Sequence, residues 1–388
     1  LPANNRYNFI QIFYNRQGFI SMTDVRLKKL ADVLVNYSVA VKKGEWVGIR
    51  GDVSALPALR ATYEAVLKAG GNPTLIISDE VITRTMLREG SEDQLAWLDP
   101  NMQLFSEKAD ATITFISSNN TRAMTGIDSK RMQLAQRARM PIFQNTMRRT
   151  AAGEYKWTLS QYPTEAYAQE ANMSLEDYED FVYGATYATL ADPVSEWKKM
   201  AAMQQEKIDW LKGKKNVTLK GEHIDISLSV EGRVFINADG TKNMPDGEIF
   251  TGPVENSVNG WVRFSYPSIV GGRAVSGIEL EFSEGKVVKA KAETNDDLLQ
   301  SQLNTDAGAR YLGEFAIGTN FGINKFTGNI LFDEKIGGTI HMAIGQSYPE
   351  SGGVNQSAVH WDMICDMRND SEIRVDGDLF YKNGAFVV

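Results

Sequence analysis

Ile340–Asp362, IHMAIGQSYPESGGVNQSAVHWD, holds two of the chain's three histidines, His341 and His360, together with Tyr348 and Asp362. In His360-Trp361-Asp362 the histidine and the aspartate are two positions apart. An extended strand sends both side chains to one face and Trp361 to the other. An imidazole and a carboxylate on one face can share a divalent cation, and the donor mix suits zinc, cobalt or manganese. The alternative is that each histidine is a hydrogen-bonded core residue. A second histidine upstream of the His-x-Asp brings the metal reading level with that alternative.

Around this stretch the chain reads as β-rich. Val217–Leu219, Ile224–Leu228, Val262–Phe264 and Ile278–Phe282 alternate with period two between Gly and Asn turns. Three acidic positions stand out among them. Glu248 lies in NMPDGEIFT (Asn243–Thr251), Glu314 in YLGEFAIG (Tyr311–Gly318) and Glu334 in LFDE (Leu331–Glu334). A carboxylate in such apolar company costs several kcal/mol unless paired, and a metal is one efficient partner. For Glu314 the competing expectation is an ion pair with Arg310, or a turn cap.

The first half alternates strand and helix. An amphipathic helix is expected over Asp24–Val41, with Leu27, Leu30, Ala31 and Leu34 at helical spacing. Strands follow at Trp46–Arg50, Thr74–Ile77 and Ala111–Ile116. Helices are expected at Pro57–Ala69, closed by Gly70-Gly71, and near Lys130–Arg139, with a further strand near Met140–Gln144. This order means a mostly parallel open sheet covered by helices. Ser174 and Asp192-Pro193 open two later helices, the second running towards Leu211. The aromatics Trp157, Tyr162, Tyr167, Tyr178, Phe181, Trp197 and Trp210 are read as helix-packing core. No GxGxxG or GxxxxGK[ST] pattern is present, so nothing supports a nucleotide cofactor.

The fold class expected is therefore an α/β N-terminal domain, residues 22–215, followed by an α+β C-terminal domain, residues 216–388, that carries the metal site. The hinge is the basic, Gly-containing Lys212–Asn216 segment. Residues 1–21 read as an extension outside the fold, because Met22-Thr23-Asp24 resembles a fresh start. A formal net charge of −8 argues against a nucleic-acid partner. No stretch approaches a membrane span. Cys365 stands alone, which excludes a disulfide framework or Cys-rich zinc site and fits a reducing cytoplasm.

Taken together, NMPDGEIFT, the LGEF segment (Leu312–Phe315), IHMAIGQSY (Ile340–Tyr348) and HWDMI (His360–Ile364) resemble the thermophilic aminopeptidase T family of metallopeptidases. The resemblance runs from about Met22 to the C-terminus and takes in WVGIRGD (Trp46–Asp52), Tyr162-Pro163-Thr164 and Asp192-Pro193-x-x-x-Trp197. It implies a cocatalytic exopeptidase with two divalent ions per chain, held by Glu248, Glu314, His341, His360 and Asp362, with Tyr348 as the active-site tyrosine. One departure is visible. The family's glutamate five residues before the first histidine is replaced here by Ile336, and Glu334 is the nearest acidic candidate. The resemblance also implies short peptide substrates and a homodimer, formed through the C-terminal domain, whose active sites face an internal cavity.

Two ions about 3.5–4 Å apart can share a carboxylate and a hydroxide, with the pKa of water lowered towards neutrality. The expected reaction is attack of that hydroxide on the first peptide carbonyl. Tyr348 would donate to the oxyanion, and Glu314 would carry the proton to the leaving amine. Two other readings compete: a mononuclear Fe(II) ring-cleaving dioxygenase on the same fold, and a catalytically silent binding protein. Glu248 and Glu314 separate the first of these, since a facial triad has no use for two further carboxylates.

Overall fold

The computed structural model describes residues 24–270 and 272–388. The extension expected over residues 1–21 lies outside them. Asp24 caps the first helix by accepting from the Arg26 N–H, and Leu27, Leu30 and Ala31 turn its apolar face inward. The helix runs from Val25 to Val33 and continues as a wider turn over Leu34–Ser38. The first sheet has five strands in the order Asn72–Ser78, Trp46–Asp52, Ala111–Ile116, Lys156–Gln161 and Asn243–Met244, all parallel. Val47, Ile49, Ala111, Ile113 and Phe115 bury it against the helices. The helix Leu56–Lys68 closes at Gly70, whose φ of 84° suits glycine.

One expected element is wrong. Met140–Gln144 is not a strand, and the helix expected near Lys130–Arg139 does not stop there. A single helix spans Ser129–Ala151 with Pro141 inside it. A short apolar run has no periodicity of its own, and MPIFQ is carried by the turns on either side. Asn145 and Arg149 both donate to the Ser106 carbonyl and pin the far end of the helix. The strand that fills this place is Lys156–Gln161, which includes Trp157.

The second half is built of antiparallel sheets. A five-stranded sheet runs His360–Asp366, Thr339–Gly345, Leu312–Gly318, Glu248–Thr251, Ile236–Ala238. An eight-stranded sheet includes Ile224–Ser229, Asn259–Arg263, Glu279–Ser283 and Glu372–Val375. Both contribute to one core, in which Leu219, Ile226, Val262 and Leu280 share a cluster with Phe315, Met342, Ile344, Trp361 and Met363. The α/β half followed by a β-dominated half is the expected fold class. The two are laced together, since Asn243–Met244 joins the first sheet and the Gln204 side chain of the long helix Pro193–Leu211 donates to the Glu248 carbonyl. Among the described residues no helix is long and apolar enough to cross a membrane.

Candidate metal centre

The five-stranded sheet has a core face and a polar face, and strand periodicity decides which side chain goes where. On Thr339–Gly345, Ile340, Met342 and Ile344 enter the core, so His341 and Ala343 point the other way. On His360–Asp366, Trp361, Met363 and Cys365 enter the core, leaving His360 and Asp362 on the polar face, as the His-x-Asp spacing predicts. Leu312–Gly318 breaks the alternation. Leu312 and Phe315, three apart, both face the core, because the register shifts between Leu312 and Glu314. This bulge turns Glu314 onto the polar face. Gly313 permits it: a Cβ there would sit 2.4 Å from the Gly345 carbonyl oxygen. Ala343 stands opposite Glu314 on one side and Asp362 on the other, so its methyl leaves room for two carboxylates to meet above it.

The side chains converge. His360 Nε2 lies 3.3 Å from Glu314 Oε2 and 3.6 Å from Asp362 Oδ1. His341 Nε2 lies 3.5 Å from Glu314 Oε1 and 4.0 Å from Asp362 Oδ1. Each imidazole is anchored by its other nitrogen. Nδ1 of His341 is 2.9 Å from the Glu334 carbonyl, and Nδ1 of His360 is 2.8 Å from the Gln346 carbonyl. An Nδ1–H donated to each carbonyl leaves both Nε2 lone pairs aimed at the carboxylates, the tautomer that metal-ligating histidines adopt. Ligand atoms of Glu314, His360 and Asp362 form one group within 4.8 Å of one another, and those of Glu334, His341 and Asp362 form a second. Glu248 belongs to neither group. Its Oε2 is 3.6 Å from Nδ1 of His341, on the opposite edge of that ring from Glu314. Arg310, the alternative partner for Glu314, is engaged elsewhere, donating to the Val287 carbonyl and to Asn304.

These residues fit a cation. Glu248 Oε2 and Asp362 Oδ1 are buried and accept no hydrogen bond, an arrangement that is costly unless a positive charge sits between them and their neighbours. Burial pushes the Glu248 and Asp362 carboxyls up, Asp362 to about 6 with Glu334 adding to the rise. Burial would also raise Glu314, but the two facing imidazoles outweigh it and hold the carboxyl at about 2. Burial opposes charge on His341 and is outweighed by Glu248, Glu314 and Asp362, which raise it to about 10. His360 is treated likewise, up to about 9, by Glu314 and Asp362. Without an ion the carboxylates favour a proton on each Nε2, and a divalent ion bound there would displace those protons.

Tyr348 is 41% exposed, its ring 5.1 Å from that of His360 and 5.5 Å from Phe250. Burial of its hydroxyl and the nearby Glu314 and Asp362 push the phenol up, so it stays a proton donor. A cavity of about 940 Å³ opens over His360 and Asp362 and is lined on its other sides by Tyr167, Ile269, Phe326 and Asp333. The sequence reading did not single out Lys335, which is fully buried in contact with Glu334. A lysine beside an acidic residue looks like a solvated pair, and nothing local marks it as internal.

A family model described as thermophilic metalloprotease (M29) matches residues 23–386. Aminopeptidase T of Thermus thermophilus is 28% identical over 395 residues, which cover 92% of this chain and 95% of the relative. Aminopeptidase 2 of Geobacillus stearothermophilus is 27% identical over 391 residues, covering 90% and 93%. Among solved structures, wild-type AmpT from Thermus thermophilus superposes with a TM-score of 0.80 at 25% identity, covering 94% of this chain and 99% of that one. A 2,5-dihydroxypyridine dioxygenase from Pseudomonas putida KT2440 gives 0.56 at 14% identity over 93% and 97%, a likeness of fold alone. Matched from residue 23 to residue 386, with the same fold as AmpT, the chain belongs to the thermophilic metalloprotease (M29) family and is a hydrolase of peptide bonds.

Proposed function

We propose that the chain is a metal-dependent aminopeptidase that removes the N-terminal residue from short peptides at the polar face of the His341–His360 sheet. The observation that carries this reading is the pair of Nδ1-anchored imidazoles whose Nε2 atoms face Glu314 and Asp362. The relatives named aminopeptidases support it. Glu314, His360 and Asp362 would hold one divalent ion and Glu334, His341 and Asp362 a second, a dinuclear centre of zinc, cobalt or manganese with Asp362 shared. Glu248 would add negative charge at the rim of the second group. When bound, such ions supply Lewis acidity and bring the pKa of water towards neutrality.

The protein's own groups do the rest. Glu314, buried between the imidazoles, takes a proton from the attacking water and delivers it to the leaving amine. Tyr348 donates to the oxyanion that develops on the scissile carbonyl. The cavity beside His360 and Asp362, about 940 Å³, has room for a short peptide. Cytoplasmic residence and a homodimer through the second half complete this reading, and sedimentation at a single-chain mass would remove the dimer. The ring-cleaving alternative draws only on the fold, and the Glu314 carboxylate between the two histidines has no role in it.

The test is hydrolysis of leucine p-nitroanilide. Activity should disappear on chelation, return with zinc, cobalt or manganese, and be absent on the N-acetylated substrate. Activity that survives exhaustive chelation would remove the metal from the account. Tyr348→Phe should lower kcat by about 10²–10³-fold, the usual loss for an oxyanion donor. Its effect on the thermal midpoint should be small, because the side chain is 41% exposed.

A further inference from the structure

Lys335 has no part in the reading above, yet it is buried within this centre. It has no solvent exposure, and its ammonium contacts Glu334 Oε1 and lies 4.0 Å from Glu248 Oε1. Asp246, 2% exposed, contributes to the same field. The backbone fixes it there. The Lys335 N–H donates to the Phe332 carbonyl at the end of the short helix Ile330–Asp333, and the Lys335 carbonyl accepts from the Asn320 N–H. An ammonium removed wholly from water needs carboxylates beside it, and the Glu334 and Glu248 carboxylates stand there.

Its position is asymmetric. Among the described residues, no lysine or arginine pairs with Glu314 or Asp362, so the Glu314–His360–Asp362 group faces only imidazoles. The Glu334–His341–Asp362 group differs, because its glutamate already carries the ammonium. Glu248, the carboxylate that would strengthen the second group, is likewise turned towards Lys335 and the Nδ1 edge of His341. A cation entering the second group must share Glu334 with a fixed positive charge a few ångströms away, in surroundings where such repulsion is barely screened.

We propose that Lys335 makes the two ion positions unequal, so that the Glu314–His360–Asp362 position fills tightly and the Glu334–His341–Asp362 position binds its ion weakly. This rests on the metal-dependent reading above and specifies how the centre loads. The second ion would then be the exchangeable one, and its occupancy would follow the free metal concentration.

The experiment is a titration of the metal-free, full-length protein with Zn²⁺ by competition with a chromophoric chelator, for the native chain, Lys335→Met and Lys335→Gln. The native chain should bind one ion tightly and a second about 100-fold more weakly, the scale of one near, poorly screened charge. Each variant should tighten the second ion by about 10-fold or more and move the first by less than about 3-fold. Two ions of equal affinity in the native chain, or a second ion unchanged in folded variants, would overturn the proposal. Should the variants not fold, Mn²⁺ resonance spectra of the native chain decide. One equivalent should give an isolated-ion spectrum, and a spin-coupled pair at that loading would overturn it. Failure to bind any ion would sink the metal-dependent reading as well, which separates the two claims.

Discussion

Glu314→Gln should lower turnover of leucine p-nitroanilide by about 10³-fold, the range of a lost general acid–base group. Affinity for the tightly held ion should fall as well, by at least the ~10–100-fold that loss of an outer partner typically costs a metal site. The substitution is isosteric and leaves a polar group facing His341 and His360 at 3.5 and 3.3 Å. Its cost to folding should therefore stay below about 2 kcal/mol, the order of one altered buried hydrogen bond. Parallel kinetics and urea unfolding check both parts. Full activity in Glu314→Gln would take the proton away from this residue.

Gly313→Ala tests the backbone beneath that carboxylate. The new Cβ would lie 2.4 Å from the Gly345 carbonyl oxygen and 2.5 Å from that of Gln346, closer than carbon and oxygen can approach. The strands must part, at a cost of about 1–3 kcal/mol or more for an overpacked interior. The displacement has a chemical consequence, because the Gln346 carbonyl is the anchor of His360 Nδ1. Loosening it frees the imidazole to turn and moves the bulge that presents Glu314. Activity measured well below the unfolding midpoint should fall by about 10²-fold, the penalty for a misplacement near 1 Å. A variant as active and as stable as the native chain would mean that the bulge does not set the site.

Much of this centre was legible because strands alternate. His-x-Asp with Trp between predicts one polar and one apolar face, and the structure puts His360 and Asp362 outside the core and Trp361 inside it. Glu314 could be flagged as a carboxylate in an apolar run, but its facing depends on a bulge that no period-two pattern contains. The parallel sheet was readable from alternating runs, whereas Met140–Gln144 was not, since a five-residue apolar stretch fits either a strand or a buried helix turn. Lys335 and Glu248 were hardest. The positions of the two depend on the Asn320–Lys335 backbone contact and on the Gln204 bond to the Glu248 carbonyl, between segments that are not neighbours in sequence.

Side chains from separate strands should meet on one divalent cation. Crystals loaded with Zn²⁺ and measured across the zinc absorption edge test it most directly. The predicted result is an anomalous peak about 2.0–2.2 Å from His360 Nε2 and from oxygens of Glu314 and Asp362. No peak there, or a peak bound by other residues while the enzyme remains active, would contradict it.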